Sequence, residues 1–421
     1  MTTVAGHPSL RGRTVERRGG GRGGGGGSVG SGTYRVPGRF SMPGQATSAF
    51  WFLALIVVVL NLFGLIMVMS AGSVDSVRSG GAPWSYFERQ LLWTAIGGVA
   101  LFVTLMVSVD VWRRMAKWLL LGSIGLLVAV LVPGVGVSAN GATRWLGAGP
   151  LQFQPSEFAK FGLLVFVADL LDRRSDHIDD WRWCLLPVTA YLGLVAGLIM
   201  LQPNLGTTII IATMVLAMML VAGVRLGPLA VVAMGGALAA AAAVAYTPFR
   251  RTRFLRFLNP WADPTNTGLQ NIQSLVGLAN GGVLGKGLGR STAKWGFLPY
   301  AHTDFIFAVI GEEFGLVGAL FVVALFFALT VTGAWIAVRA NDRYSMLVAT
   351  GITAWLSIQA FMNIGAVIGI MPITGVPLPF VSFGGSSLMV NLAATGMLLN
   401  IARHPAEAPL RPRRARAVSV R

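Results

Sequence analysis

Cysteine is nearly absent: the 421 residues include one, Cys184, so no internal disulfide can form and the residue reads as a small apolar position. Histidine is almost as scarce. The four stand at positions 7, 177, 302 and 404, and no second His or Cys lies near His302 to complete a closed transition-metal site. Charge is the third shortage. Only 12% of residues are charged while 54% are apolar, a balance that excludes an ordinary soluble domain.

What is there instead is a series of long apolar runs. A membrane helix needs about 17 to 25 residues, and ten segments fit, at roughly 48–70, 89–109, 118–138, 155–171, 184–202, 206–223, 227–246, 304–328, 345–370 and 385–402. The expected fold is an all-α polytopic membrane protein of ten transmembrane helices. The first run begins about 45 residues in and is long enough to span, which disfavours a cleavable signal peptide.

The net charge of +17 is mostly peripheral. Residues 1–40 hold seven Arg and one Glu, and residues 401–421 hold six Arg and one Glu, so the tails carry +11. Residues 1–45, with "RRGGGRGGGGGSVGSG", cannot bury apolar surface and are expected to be a disordered basic tail; 404–421 form a second basic tail, and 46–403 the transmembrane domain. An even number of spans puts both tails on one side. The positive-inside rule makes that side the cytoplasm, together with "WRRMAKW", "LDRRSDHIDDWRW", "VRLGP" and "VRANDRY". Anionic lipid suits such tails better than nucleic acid.

One loop departs from the rule. Residues 247–303 fall outside, yet carry Arg250, Arg251, Arg253, Arg256, Lys286, Arg290 and Lys294 against Asp263. Its length and its apolar and aromatic residues predict a large extracellular loop folded onto the membrane domain, basic enough for an anionic ligand. Segments four, six, eight and ten enter from that side on "QPSE", "PNLGTT", "HTD" and "GGSS". Helix N-termini of this kind either are simply capped or favour an anion, and Ser386 and Ser387 belong to the last of them.

Asp304 begins the eighth segment. It reads as an N-cap, a general base, or a ligand of a divalent cation. Lys160 lies at i+3 from Glu157, so it pairs there or crosses to Asp304. Glu312 and Glu313 lie about 12 Å further along at 1.5 Å per residue, and structural hydrogen bonding between helices is favoured over a relay. His302 could ligate a metal, but Mg²⁺ or Mn²⁺ held by Asp304 and phosphate oxygens suits the composition better. "GKGLGR" (285–290) could cradle phosphate, though no strand precedes it. "MPITGVPLPFVSFGGSS" (371–387) has too much Pro and Gly to span and should wall a cavity.

"GATRWLGAGPLQFQPSEFAK", "LQPNLGT", "LNPWADP", "LPYAHTDFIFAVIGEE" and "NIGAVIGIMPITGVPLPFVSFGGSS" together resemble the SEDS proteins of bacterial cell-wall synthesis, over about residues 48–402. "NPWADP" is closer to the division branch than to the elongation branch. The resemblance implies an inverting peptidoglycan glycosyltransferase. Such an enzyme polymerises lipid II at the outer face of the cytoplasmic membrane, with undecaprenyl-linked glycan as the growing chain and undecaprenyl diphosphate released. The implied partners are a class B penicillin-binding protein at the division septum and other division proteins, reached through the tails. The family's essential aspartate falls on Asp304, its paired lysine on Lys160, and supporting residues on Glu157 and Arg144. Where the family usually has Asp, this chain has Asn204, so that acid is not required here. Diphosphate contacts are expected from Arg250, Arg253, Arg256, Lys286, Arg290, Lys294, His302, Ser386 and Ser387. The alternative is a transporter that flips lipid-linked precursor through midplane acids such as Glu312 and Glu313. A third is a scaffold anchored by its helices.

Overall fold

A computed structural model describes residues 46–139, 142–178, 180–266 and 268–404. The two tails, His404 apart, lie outside the described residues. The helices are α1 (Ser48–Arg78), α2 (Ser85–Met106), α3 (Val109–Ala129), α4 (Pro155–Arg173), α5 (Leu186–Leu201), α6 (Leu205–Val221), α7 (Leu226–Tyr246), α8 (Pro248–Leu258), α9 (Leu269–Gly281), α10 (Ile306–Val338), α11 (Arg343–Val367) and α12 (Gly385–Ala402). Strands β1 (Val137–Ala139) and β2 (Ala142–Trp145) form an antiparallel hairpin between α3 and α4. Among the described residues seven helices are long and apolar enough to cross a membrane, and the chain is a multi-pass membrane protein. Large apolar side chains on α1, α5, α7 and α10 stay exposed, including Trp51, Leu194, Leu226 and Phe327, as lipid-facing surfaces do.

Ten of the helices overlap the ten apolar segments, and the overlaps are instructive where they slip. The third helix starts nine residues earlier than hydropathy suggested, at Val109, and ends at Ala129. Its first turns carry Asp110, Arg113, Arg114 and Lys117, which an apolar window rejects. Tertiary ion pairs accommodate part of that charge: Arg113 Nε lies 2.8 Å from Asp169 and Nη2 lies 2.7 Å from Asp172, both on α4, while its guanidinium covers the Tyr344 ring of α11. The loop expected at 247–303 is folded, as its aromatic content predicts, and contains α8 and α9.

α10 is broken. Its 33 residues would extend about 50 Å at 1.5 Å per residue, well beyond a bilayer core of about 30 Å. Gly315 interrupts it at φ 68°, a backbone conformation glycine adopts without a Cβ clash. The loop after α9 repairs the break. Lys286 N donates to Glu312 O and Gly287 N to Glu313 O, while Leu316 N and Val317 N donate to Gly282 O and Val283 O, all within 2.9–3.2 Å.

Side chains tighten the same join. Glu312 accepts from Lys286 Nζ, Ser291 Oγ, Thr292 Oγ1 and Ala293 N at 2.6–3.1 Å. Glu313 accepts from Ser70 Oγ of α1, Ser291 N and Lys294 Nζ at 2.7–3.3 Å. Lys286 of the glycine-rich run and the 291–294 segment that follows it thus hold the protein's own carboxylates. Both glutamates make structural hydrogen bonds, and Lys286 and Lys294, expected at phosphate, are each engaged by an internal carboxylate.

The centre of the bundle is α11, packed on α4, α6, α10 and α12, with Trp355, Leu356 and Gln359 fully buried. α7 buries no residue.

Replacing Glu313 with Ala leaves Lys294, whose side chain is 4% exposed, without its carboxylate. Breaking a buried pair costs about 3–5 kcal/mol. Thermal unfolding in detergent should show a clear loss for Glu313→Ala and a change within about 0.5 kcal/mol for Arg290→Ala, an exposed position on the same loop.

Candidate functional site

Asp304 lies in the turn ahead of α10, half-buried. The turn is tight: Tyr300, at φ 61°, accepts at its carbonyl from Thr303 N and Phe305 N. Phe305 occupies the N-cap position and no side chain caps this helix, so Asp304 is not the cap that its place in the sequence suggested. Among the described residues no hydrogen bond or ion pair holds its carboxylate. Burial pushes the carboxyl up to about 6, and the charges of Arg253 and then Arg144 pull against that rise.

Those arginines arrive from separate elements. Arg144 projects from β2 and donates from Nε and Nη2 to Gln202 O at 2.8 Å and Pro203 O at 2.5 Å, the carbonyls of the turn between α5 and α6. Arg250 and Arg253 come from α8; Arg250 reaches Met200 O and Arg253 reaches Ile373 O, each at 3.4 Å. Burial lowers the Arg144 pKa first, then the like charges of Arg253 and Arg250, with Asp304 opposing. Arginine stays protonated regardless. Arg253 and Arg144 thus act on one carboxylate, with Arg250 beside Arg144, a field suited to an anionic ligand beside a group able to take a proton.

Lys160 is not part of that ring. Its Nζ lies 2.8 Å from Glu157 Oε2 and donates to Gln359 Oε1 at 3.0 Å, above the Trp355 ring. The local pairing wins over the cross-helix pairing with Asp304, because i+3 spacing on α4 brings the partners together without moving a helix. The route between lysine and aspartate runs instead through two amides of α11. Gln359 Nε2 donates to Pro377 O at 3.0 Å. One turn on, Asn363 Nδ2 donates to both Asp304 O and Val376 O at 2.8 Å. Gly375, at φ 71°, faces the aspartate, and a β-carbon there would stand 3.6 Å from Asp304 Oδ2. The Pro- and Gly-rich segment does wall the site. Sequence reasoning passed over Gln359 and Asn363, although two amides at i and i+4 in an apolar helix were a visible signal.

The remaining expected phosphate contacts are placed elsewhere. His302 is buried in a stack with Tyr86 and Phe383, with Nδ1 3.8 Å from Asp75; burial lowers its pKa, Asp75 opposing, which makes it a packing residue. Ser386 Oγ accepts from Gln154 N at 3.1 Å, and Ser387 Oγ accepts from Gln359 Nε2 at 3.4 Å, so both serve helix ends inside the bundle. Arg290 is exposed on the cradle loop and is not among the charges acting on Asp304. The Arg256 side chain lies outside the described residues. Asn204 caps α6 by accepting from Thr207 N.

A protein-held divalent cation does not fit this donor set. Among the described residues no three His, Cys, Asp or Glu side chains gather to hold a metal ion. Asp304 stands as a single carboxylate amid guanidinium groups, whose charge opposes a second cation.

Residues 50–407 match the cell cycle protein family of FtsW, RodA and SpoVE. The chain is 39% identical over 363 residues to stage V sporulation protein E of Bacillus subtilis, covering 86% of this chain and 99% of that one. It is 39% identical over 360 residues to the probable peptidoglycan glycosyltransferase FtsW of Geobacter sulfurreducens, covering 84% and 95%. A solved chain from a study of how a peptidoglycan synthase complex coordinates polymerization and crosslinking superposes with TM-score 0.70 at 32% identity, covering 84% and 97%.

Farnesyl diphosphate titrated into the detergent-solubilised protein separates the two sets of cations. Losing a charge-assisted hydrogen bond, about 1.5–3 kcal/mol, should make Arg253→Gln bind roughly 10- to 100-fold more weakly. Lys286→Gln should bind as the unaltered chain does, since Glu312 already engages that lysine.

Proposed function

The chain belongs to the FtsW, RodA and SpoVE family, and from that premise we propose that it is a peptidoglycan glycosyltransferase that polymerises lipid II during cell division. The observation that carries the reading is Asp304, a carboxylate that no direct partner holds among the described residues and that stands in the field of Arg253 and Arg144, with Arg250 beside Arg144. A hydrolase of soluble sugars needs no such density of positive charge at a membrane surface. A lipid-linked diphosphate does.

Ten helices span the membrane, with both tails in the cytoplasm and residues 247–303 outside. α3, α4 and α6 are the three spans that charge or shortness sets apart from the other seven. On this topology the arginine ring faces the outer surface, where the donor diphosphate enters while its isoprenoid tail stays in the bilayer.

Asp304 takes the proton from the acceptor 4-hydroxyl as that oxygen attacks the donor's anomeric carbon. The bond to the diphosphate oxygen breaks, the configuration inverts to a β-1,4 link, and the departing diphosphate carries its charge into the guanidinium ring. Arg144, fixed by two carbonyls, is well placed for this because its geometry is set before substrate arrives. Lys160 and Glu157 support the site from beneath. A Mg²⁺ or Mn²⁺ ion, if it enters, comes with the diphosphate, and no step here depends on it.

The partner is a class B penicillin-binding protein of the division septum, supported by the likeness to a chain studied within a synthase complex; the basic tails meet other division proteins.

The test is purified protein with its cognate penicillin-binding protein and labelled lipid II in liposomes. Glycan polymer should form, and Asp304→Ala should reduce its rate by about 10²-fold or more. Lipid II crossing the bilayer with no polymer formed would establish the transporter instead.

A further inference from the structure

The polar centre of α11 has no role in the chemistry above, yet it touches Lys160, the main chain of Asp304 and the segment at 376–377. Gln359 and Asn363 are 0% and 2% exposed and, at i and i+4, share one helix face. Their orientations are determined by their partners. Gln359 Oε1 receives Lys160 Nζ and Trp355 Nε1, both of which can only donate. Asn363 meets two carbonyls, which can only accept, so its nitrogen must face them.

We propose that Asn363 is a positioning residue of the transferase, which fixes the main chain of Asp304 against residues 373–377, and that Gln359 carries Lys160's support to the same segment. This inference rests on the reading of Asp304 as the base. Three contacts converge on that segment. Arg253 donates to Ile373 O, Gly375 faces Asp304 Oδ2, and Asn363 joins Val376 O to Asp304 O. One amide therefore sets the distance between the carboxylate and the segment to which a diphosphate-binding arginine is tied. Packing alone does not explain the choice of residue. Asn363 Oδ1 is buried with no hydrogen-bond partner, a cost that an apolar side chain of similar size would avoid; the amide is retained for its two donors. Lys160 then acts on the reaction at a distance, through Gln359 and Pro377 O, without touching substrate.

The experiment measures lipid II polymerisation by the full-length chain with its penicillin-binding protein, as kcat and KM per folded molecule, with thermal unfolding recorded alongside. Displacement of a catalytic group by about 1 Å costs roughly 100-fold. Asn363→Ala should therefore lower kcat by about 10- to 100-fold with KM changed by less than about threefold. Asn363→Ser, which keeps one donor, should recover part of the loss, and it serves as the measured variant if the alanine form does not fold. Full kcat per folded molecule in either variant, even with a lowered Tm, would overturn the inference and leave a purely structural amide. Asp304→Ala distinguishes the two levels. If it stays active, the reading of Asp304 fails and this inference with it; if it is inactive while Asn363→Ala turns over normally, only the inference fails.

Discussion

A carboxylate taken out of water costs several kcal/mol unless a cation or a set of donors meets it, and that cost organises this molecule. Asp169 is met by Arg113 and Arg173, Glu157 by Lys160, Glu312 by Lys286 and three further donors, and Glu313 by Lys294, Ser70 and Ser291 N. Asp169, Glu312 and Glu313 thereby join separate elements, while Glu157 is paired within α4. Asp304 is the exception. It stands in the field of Arg253 and Arg144 with no hydrogen bond or ion pair to its carboxylate among the described residues, and on the proposed function that carboxylate is left for a proton and for substrate.

The same constraint explains how the fold tolerates irregular backbone in a lipid environment. The break at Gly315 frees amides and carbonyls that a bilayer cannot satisfy. The 282–287 turn supplies partners for them, and Lys286 and Lys294 are drawn in by the two buried glutamates just ahead of the break. A loop that reads as a phosphate cradle is thereby consumed in holding a helix together. On the proposed function the phosphate-facing charge falls to α8 and β2, whose arginines donate to backbone carbonyls and so arrive in fixed geometry.

Much of this was legible in the residues. Apolar length located ten helices, charge composition picked out the 247–303 loop, and motif resemblance pointed to Asp304, Arg144 and the family. Hydropathy misplaced α3, because Arg113 is accommodated by carboxylates 56 and 59 positions further on, which no local window can see. The residues left Lys160 open between Glu157 and Asp304, and the structure pairs it with Glu157; the loop lysines, expected at phosphate, are engaged by Glu312 and Glu313. A basic side chain in sequence carries no sign of whether an internal acid has already claimed it. Nothing short of tertiary contact could have tied Asn363 to Asp304, since the partner atoms are main-chain carbonyls that every residue possesses.

On the proposed function Asp304 acts as an ionised base whose proton affinity is set by burial against the field of its arginines. The pH dependence of kcat/KM for lipid II polymerisation, in the unaltered chain and in Arg253→Gln, tests it most directly. A base works only when deprotonated, so the rate should fall as pH drops through about 6. Removing the positive charge of Arg253 should move that acid limb to higher pH. A flat profile between about pH 5 and 8, or a limb that stays put in the variant, would contradict the account.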